Sequence, residues 1–127
     1  MAIYRIRKNL EFNLQEWYAL YLTGLGVLHC ASCGGMRTSL GTAVKMKRAG
    51  YRKGFPDMGI FEPRGGYFGM FVELKCGAKT TDEQVEWQAE LTKRGYYALI
   101  MPANLDFRES QNWLETKTME YLKGLTQ

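Results

Sequence analysis

Two short, largely apolar segments, residues 58–62 and 67–72, are separated by the tetrapeptide Pro63-Arg64-Gly65-Gly66. Proline and paired glycines are typical of a tight turn, and the flanking segments have the length and apolar content of β-strands. The pattern therefore predicts a β-hairpin. Folding this hairpin brings Asp57, at the start of the first strand, beside Glu73, near the end of the second.

The second strand continues as Glu73-Leu74-Lys75. Because side chains alternate between the two faces of a strand, Glu73 and Lys75 point the same way while Leu74 faces the core. The carboxylates of Asp57 and Glu73 would then lie close together, and their partial burial is unfavourable unless a positive charge sits between them. A hard divalent cation with oxygen ligands meets this requirement.

These residues predict a metal-dependent phosphodiesterase site. We expect Asp57, Glu73 and the Leu74 carbonyl to bind Mg²⁺ or Mn²⁺. Lys75 would orient the attacking water or stabilise charge that develops on the phosphate oxygens. An alternative stays open, since E-x-K triplets are common. In that alternative, Glu73 and Lys75 form an exposed, salt-bridged strand face and Asp57 caps a turn.

Basic residues accumulate shortly before Asp57, in a chain whose formal net charge is +4. The cluster consists of Lys45, Lys47, Arg48, Arg52 and Lys53, with Arg37 a little upstream. We predict that these side chains contact DNA phosphates at the mouth of the site. A solvated, basic helix face is the alternative interpretation.

Several motifs together carry a family resemblance. They are GFPDMGIF, GMFVELK, TDEQVEW, the upstream segment CGGMRTSLGTAVKMKRAG and the early Glu11-Phe12-Asn13-Leu14-Gln15. In their order along the chain, from residues 11–15 to residues 81–87, they resemble the VRR-NUC (virus-type replication-repair nuclease) branch of the PD-(D/E)XK nuclease superfamily. The resemblance spans roughly residues 11–100, which is most of the chain.

The resemblance implies an α/β fold of the PD-(D/E)XK type, a mixed central sheet flanked by helices with an α-β-β-β-α-β core and a C-terminal helix. It also implies a metal-dependent, structure-specific DNA endonuclease. Stand-alone, phage-type members are homodimers that act on four-way (Holliday) junctions in phage DNA replication and repair, whereas versions embedded in larger repair proteins act on flaps. The length of 127 residues suits one core, so we expect a single domain over residues 1–127.

Two further residues have both a structural and a catalytic interpretation. Glu11 lies near the start of the first predicted helix, where the resemblance favours it as a metal ligand, and Glu16 is the alternative; an acid there can also simply stabilise the helix dipole. Gln84 closes the capping-box pattern that Thr81 begins. It also matches the family's T-x-x-Q, which would place it in the catalytic site, orienting Lys75 or the phosphate.

Periodicity and capping residues predict the remaining elements. We expect a helix from Leu10 to about Gly24, capped by Asn9, and a short helix around residues 42–48. The other predicted elements are a strand at residues 27–31, a helix at 82–94, a strand at 96–101 and a helix at 110–123. The last helix has enough apolar surface for either the core or a dimer interface.

Other site classes are disfavoured by the sequence. Cys30 and Cys33 have C-x-x-C spacing near His29, but no matching second pair accompanies them, so we favour reduced, buried thiols over a zinc site. No signal peptide or membrane span is apparent. We therefore expect a cytoplasmic protein that does not bind membranes, located in the host cytoplasm if it is phage-encoded.

Two rival functions remain open beside the junction nuclease. One is a sequence-specific, restriction-like endonuclease. We disfavour it because the sequence offers no extra segment for reading base edges in a groove. The other is a catalytically silent DNA-binding or helicase-accessory module of the same fold, with a helicase as partner. Retention of Asp57, Glu73 and Lys75 argues against the silent module, because such a module has no need for a destabilising cluster of charges.

Overall fold

The computed structural model describes residues 2–32 and 39–126, in which four helices and four strands are present. The order of elements agrees with the predicted α-β-α-β-β-α-β-α. In chain order they are α1 (Ala2–Leu25), β1 (His29–Ala31), α2 (Leu40–Arg48), β2 (Met58–Ile60), β3 (Met70–Glu73), α3 (Asp82–Lys93), β4 (Tyr97–Ile100) and α4 (Phe107–Leu122). None of the helices in these ranges is long and apolar enough to cross a membrane.

The strands form one mixed sheet in the order β1-β2-β3-β4. Antiparallel pairing joins β1 to β2 and β2 to β3, whereas β4 returns parallel to β3 after the α3 crossover. The predicted hairpin between β2 and β3 is confirmed, and Arg64 and Tyr67 exchange backbone hydrogen bonds across its turn. Gly65 and Gly66 have φ of 56° and 87°, the left-handed conformation that a two-residue hairpin loop requires.

One face of the sheet, the α1/α4 face, is covered by α1 and α4. Alternation along the strands directs Met58, Ile60 and Val72 to this face, where all three are fully buried. They belong to the larger core cluster, whose buried members are Leu14, Tyr18, Leu22, Met58, Ile60, Met70, Val72, Leu74, Met101, Leu114 and Tyr121. Leu74 is fully buried in this core, as its place between Glu73 and Lys75 predicts.

The opposite face, the α3 face, is covered in part by α3. Its core is smaller and consists of Phe71, Leu91 and Ala98. The partly buried Phe55 and Trp87 pack against it, and their rings meet edge to face with centroids 4.9 Å apart. Glu73 and Lys75 share the parity of Phe71 along β3 and therefore point to this same face.

The predicted start of α1 is wrong, because the helix begins at Ala2 rather than after an Asn9 cap. No glycine or proline interrupts residues 2–8, so nothing breaks the helix there. An interior asparagine costs only about 0.7 kcal/mol relative to alanine, too little to end a helix that is stabilised by tertiary packing.

The end of α1 explains why β1 is shorter than predicted. Gly26, with φ of 72°, ends the helix, and its amide donates to the Thr23 carbonyl while that of Val27 donates to the Leu22 carbonyl. This pair of bonds is a Schellman motif. Val27 therefore closes the helix instead of opening the strand, which begins at His29.

The last helix starts three residues earlier than predicted, at Phe107. Asp106 is its N-cap and accepts a hydrogen bond from the Glu109 amide, while the Glu109 side chain accepts from the Asp106 amide. This reciprocal capping box fixes the start of α4. The β4 strand, Tyr97–Ile100, lies within its predicted range.

The two long helices are joined by a buried hydrogen bond. The hydroxyl groups of Tyr18 in α1 and Thr118 in α4 lie 2.7 Å apart, and both residues are fully buried. Burial raises the pKa of the Tyr18 phenol above its ordinary value, so the phenol stays neutral. The bond therefore ties α1, and with it Glu11, to the rest of the core.

We predict that Tyr18→Phe destabilises the protein by about 1–2 kcal/mol, because it leaves the buried Thr118 hydroxyl without its partner. Urea unfolding followed by circular dichroism measures the change. Tyr21→Phe, on the same helix at a partly exposed position, is the matched control and should stay within about 0.5 kcal/mol of wild type. Equal losses in the two variants would contradict the assigned role of the hydrogen bond.

Candidate active site

The register of the hairpin brings the first two acidic residues together. Met58 pairs with Val72 in the antiparallel ladder, so Asp57 stands opposite Glu73 at the same end of the sheet. The Leu74 amide donates a 2.8 Å hydrogen bond to Asp57 Oδ2. This bond aims the Asp57 carboxylate across the hairpin toward the Glu73 side.

Glu11 completes an acidic cluster, which we define as Glu11, Asp57 and Glu73. Each residue offers one carboxylate oxygen, and these oxygens all lie within 4.8 Å of one another. Glu73 is 6% exposed, and Glu11 and Asp57 are partly buried. Glu16, the alternative acid on α1, is exposed and outside the cluster. The rotation of α1 thus places Glu11, and not Glu16, beside the hairpin acids.

The electrostatics of the cluster are unfavourable for three negative charges. The pKa of the Glu73 carboxyl is raised to about 9, first by burial and then by the nearby Asp57 and Glu11 carboxylates, against the opposing effect of Lys75. A proton or a cation is therefore needed to stabilise the site at neutral pH.

The donor set fits a hard divalent ion. Carboxylate oxygens are the ligands that Mg²⁺ and Mn²⁺ prefer, and three converge here within 4.8 Å of one another. Among residues 9–32 and 39–126, this cluster is the group of three or more acidic, histidine or cysteine side chains that could hold a metal. Glu11, Asp57 and Glu73 would hold the ion. The predicted contribution of the Leu74 carbonyl stays a prediction.

Gln84 binds both Glu73 and Lys75. Its Nε2 donates a 2.9 Å hydrogen bond to Glu73 Oε2, and its Oε1 accepts a 2.6 Å hydrogen bond from Lys75 Nζ. The same Oε1 accepts from the Thr81 amide at 3.0 Å as part of the capping box of α3. The two interpretations of Gln84 are therefore compatible, since one side chain caps the helix and contacts the site.

Lys75 is held in place from two sides. Its Nζ donates to the Lys79 carbonyl at 3.1 Å as well as to Gln84, and the residue is only 4% exposed. This burial excludes the exposed, salt-bridged strand face that the sequence left open. The ammonium is instead fixed beside the acidic cluster, which orients its charge toward whatever binds there.

The segment 52–55 brings two of the predicted DNA-binding residues next to α3. Trp87 Nε1 donates to the Lys53 carbonyl at 3.1 Å, and the Arg52 guanidinium lies 4.7 Å from the centroid of the Trp87 ring. Gly54, with φ of 90°, packs so closely on α3 that a Cβ would lie 2.7 Å from the Glu83 backbone. Arg52 and Lys53 are therefore anchored one turn from Gln84.

The other predicted DNA-binding residues occupy a different position. Lys45, Lys47 and Arg48 lie in the last turn of α2, a helix with no buried residue, and all three are exposed. Ser39 caps this helix through the Thr42 amide. Arg37 lies outside the described residues, as does Cys33.

The described cysteines give no support to a zinc site. Cys30 is an exposed free thiol and Cys76 is a partly buried one. Burial raises the pKa of Cys76 above its ordinary value, and Glu11 adds to this effect, so the thiolate is disfavoured. The expectation of two buried thiols is wrong for Cys30, because β1 is an edge strand whose middle residue faces solvent.

The structure is similar to a solved structure described as a VRR_NUC domain protein, with a TM-score of 0.60 over 95% of this chain and 95% of that chain, at 20% sequence identity. The chain has the VRR-NUC fold. This is the PD-(D/E)XK fold with a mixed four-stranded sheet and flanking helices, as the resemblance implied.

Sequence comparisons add nothing to this structural likeness. No family model matches the sequence, and no curated protein matches it. The likeness is therefore seen in short sequence motifs and in the comparison of structures, whereas comparison of whole sequences does not find it.

Sequence reasoning missed two contacts around the site. No motif in the sequence indicated that Trp87 contacts the basic segment, but its ring lies under the Arg52 guanidinium and its Nε1 donates to the Lys53 carbonyl. The Lys79 carbonyl, which accepts from Lys75, had no sequence signal because any residue offers a carbonyl. The spacing of Trp87 from Gln84, three residues along one helical face, was an available signal for the first.

We predict that Glu73→Gln stabilises the protein in EDTA at neutral pH by roughly 1–2 kcal/mol, because it removes one of three crowded charges. The pKa of Glu73 is higher in the folded state than its ordinary value of 4.5, so protonation of Glu73 favours folding. This contribution to the free energy of unfolding is complete below pH 4.5 and is lost as the pH rises through about 9. The advantage of the variant should therefore grow from acidic to alkaline pH. Thermal unfolding in EDTA across this range measures it.

Mg²⁺ should raise the melting temperature of wild type and should have a much smaller effect on Glu73→Gln. Glu16→Gln, which removes an exposed acid from α1, is the control and should behave as wild type with and without Mg²⁺. A wild type that is insensitive to Mg²⁺ and Mn²⁺ would contradict the metal assignment.

Proposed function

We propose that this chain is a divalent-metal-dependent DNA endonuclease that hydrolyses phosphodiester bonds, and that residues 1–127 act as a single nuclease domain. The observation that carries the proposal is the acidic cluster with Lys75 and Gln84 beside it. Three carboxylate oxygens lie within 4.8 Å of one another, and Lys75 is hydrogen-bonded to the amide that also binds Glu73. The VRR-NUC fold supports the same reading.

In this proposal, Glu11, Asp57, Glu73 and the Leu74 carbonyl hold Mg²⁺ or Mn²⁺ against the DNA backbone. Such an ion, when bound, polarises a phosphate and lowers the pKa of a bound water.

Lys75 uses two of its N–H donors on Gln84 and Lys79, and the third serves the attacking water or a phosphate oxygen. Gln84 keeps both Glu73 and Lys75 oriented, which lowers the entropic cost of assembling the site.

Arg52 and Lys53 provide the nearest phosphate contacts. In support, both residues are anchored on Trp87, one helical turn along α3 from Gln84, which binds Glu73. Lys45, Lys47 and Arg48 on α2 extend the basic surface, with Arg37 as a further contributor from the sequence. When an arginine guanidinium lies over an aromatic ring, its N–H groups point outward in the guanidinium plane. They therefore stay available for phosphate oxygens.

We further propose that the substrate is branched DNA, either a four-way (Holliday) junction or a flap, with the junction as the first choice. This refinement rests on the resemblance to stand-alone, phage-type VRR-NUC nucleases in DNA replication and repair. A homodimer with two-fold symmetry would present two sites for paired cuts on a symmetric junction.

We predict metal-dependent cleavage of a labelled four-way junction, with symmetrically paired cuts, and weaker cleavage of a linear duplex. Asp57→Asn and Lys75→Ala should each lower the rate by about 10²–10³-fold, because each removes a preorganised charge from the site. Junction affinity in EDTA should stay within a few-fold of wild type. Gel assays with Mg²⁺, Mn²⁺ or EDTA measure cutting, and fluorescence anisotropy measures binding.

Lys93→Ala, an exposed lysine of α3, is the matched control for Lys75→Ala and should cleave as wild type. Cuts confined to a flap would replace the junction with the alternative substrate. Binding without cutting under every metal would overturn the enzyme proposal and leave a DNA-binding or helicase-accessory module.

A triple substitution of Lys45, Lys47 and Arg48 to alanine should weaken binding to all DNA structures alike. Each lost phosphate contact should reduce the slope of log affinity against log salt by about 0.9. Anisotropy titrations at several salt concentrations measure the slope. Lys117→Ala on α4 combined with Lys123→Ala at its C-cap is the control, and an unchanged slope in the triple variant would exclude α2 from the interface.

A further inference from the structure

Residues 2–32 and 39–126 cover only half of the α3 face of the sheet. Helix α3 packs over β3 and β4, where Phe71 and Ala98 are buried. Over β1 and β2 the same face is open, and Leu28 and Phe61 are 67% and 49% exposed. Cys30 of β1, two residues after Leu28, is also exposed. Large apolar side chains are thus presented to solvent on the face that carries Glu73 and Lys75.

Strand parity shows that these residues share one face. Cys30 pairs with Gly59, and Gly59 pairs with Phe71, so the three lie in one row on the α3 face. Phe61 is two residues beyond Gly59, and its amide donates to the Leu28 carbonyl, which places Leu28 and Phe61 in the next row. A Cβ on Gly59 would lie 2.9 Å from the Phe71 ring and 3.0 Å from the Phe61 ring.

A series of aromatic contacts runs from Phe61 to Phe68 and packs against the exposed rings. Phe61 meets Phe71 with centroids 6.1 Å apart, Phe71 meets Tyr96 at 5.5 Å, and Tyr96 meets Phe68 at 5.8 Å. Phe68 at the end of this chain is 65% exposed. We define Leu28, Cys30, Phe61 and Phe68 as the open strip. The buried rings hold its exposed rings in place, which lowers the entropic cost of binding a flat ligand.

The open strip leads directly to the acidic cluster. Asp57 precedes β2 and Phe61 follows it, and residues 57, 59 and 61 share the α3 face by parity. Four residues of strand span about 13 Å at about 3.3 Å per residue. This length matches about four stacked nucleotides at roughly 3.4 Å each, so a strand whose phosphate reaches the acids has its neighbouring bases over the strip.

We propose that the open strip binds unpaired bases of a nucleic-acid strand that branches from a duplex, with Phe61 as the principal stacking residue. The proposal rests on the proposed function, since it assigns the single-stranded arm of a flap, the second of the two proposed substrates, to a surface beside the same site. Aromatic side chains stack on bases without sequence preference. The positive charges of Arg52 and Lys53, anchored along the α3 side of this face, complement the phosphates of such a strand.

The area of the strip favours this occupant over a second copy of the chain. Its exposed rings and Leu28 present on the order of 300 Å² of apolar surface, given roughly 200 Å² for each large side chain. A stable interface between proteins buries about 800 Å² on each partner. A few unpaired bases need no more than the strip offers.

Fluorescence anisotropy in EDTA tests the proposal with two probes, a duplex that carries a single-stranded thymidine arm and the same duplex with blunt ends. Phe61→Leu keeps the apolar contact with Phe71 but removes the stacking ring. It should weaken binding of the armed duplex about tenfold and leave blunt-duplex binding unchanged. Phe61→Tyr should restore wild-type affinity for the armed duplex.

Phe12→Leu is the matched control, because Phe12 is a phenylalanine of α1 that is 63% exposed and outside the strip. It should bind both probes as wild type. A second measurement uses the unaltered protein. The armed duplex should protect Cys30 from alkylation by iodoacetamide, as read by peptide mass spectrometry, and the blunt duplex should not.

Equal weakening on both probes, no weakening on either, or equal protection of Cys30 by both would overturn the proposal. So would a Phe61→Leu protein that changes from dimer to monomer in sedimentation, since the strip would then be a protein interface. These outcomes differ from failure of the proposed function, which is scored by metal-dependent cleavage of wild type. An armed-duplex preference that vanishes in Phe61→Leu while wild type cleaves DNA supports both.

Discussion

The antiparallel register between β2 and β3 is the constraint on which the rest of the structure depends. Pairing of Met58 with Val72 sets Asp57 opposite Glu73 and sends Val72 and Leu74 into the core of the α1/α4 face. A slip of one residue would exchange the two faces of β3. Glu73 and Lys75 would then enter the apolar core. Hydrophobic burial on one face therefore determines the position of the charges on the other.

The charges placed in this way oppose folding. Burial alone raises the pKa of Glu73, and two neighbouring carboxylates raise it further, so the site is stable only with a proton or a cation present. The core of α1 and α4, with the buried Tyr18–Thr118 hydrogen bond, supplies the stability that offsets this cost. Catalytic sites typically contain residues whose placement is unfavourable for folding, and packing in the rest of the protein offsets the cost. The acidic cluster is thus evidence for function because the fold does not need it.

The start of α3 links secondary structure to the site. Gln84 caps the helix through Thr81 and binds Glu73 and Lys75 with the same side chain, so the helix cannot form its capping box without also ordering the two residues. Gly54 packs against the same turn and carries Arg52 and Lys53 to it. One helix terminus therefore positions Glu73, Lys75 and the basic pair Arg52 and Lys53 together.

Local patterns in the sequence determined the hairpin and its Gly65-Gly66 turn, the opposition of Asp57 and Glu73, the shared face of Glu73 and Lys75, and the capping box at Thr81. These features follow from a two-residue strand period and from contacts only a few residues apart, so the sequence contains them. Only the tertiary structure decided that Glu11, and not Glu16, joins the acidic cluster. The rotation of α1 depends on how Leu14, Tyr18 and Leu22 pack against the sheet. The tertiary structure alone also left the β1–β2 half of the α3 face uncovered by the described residues, since a single helix about 10 Å wide covers about two strands spaced about 4.8 Å apart and no local pattern records which strands a helix will cover.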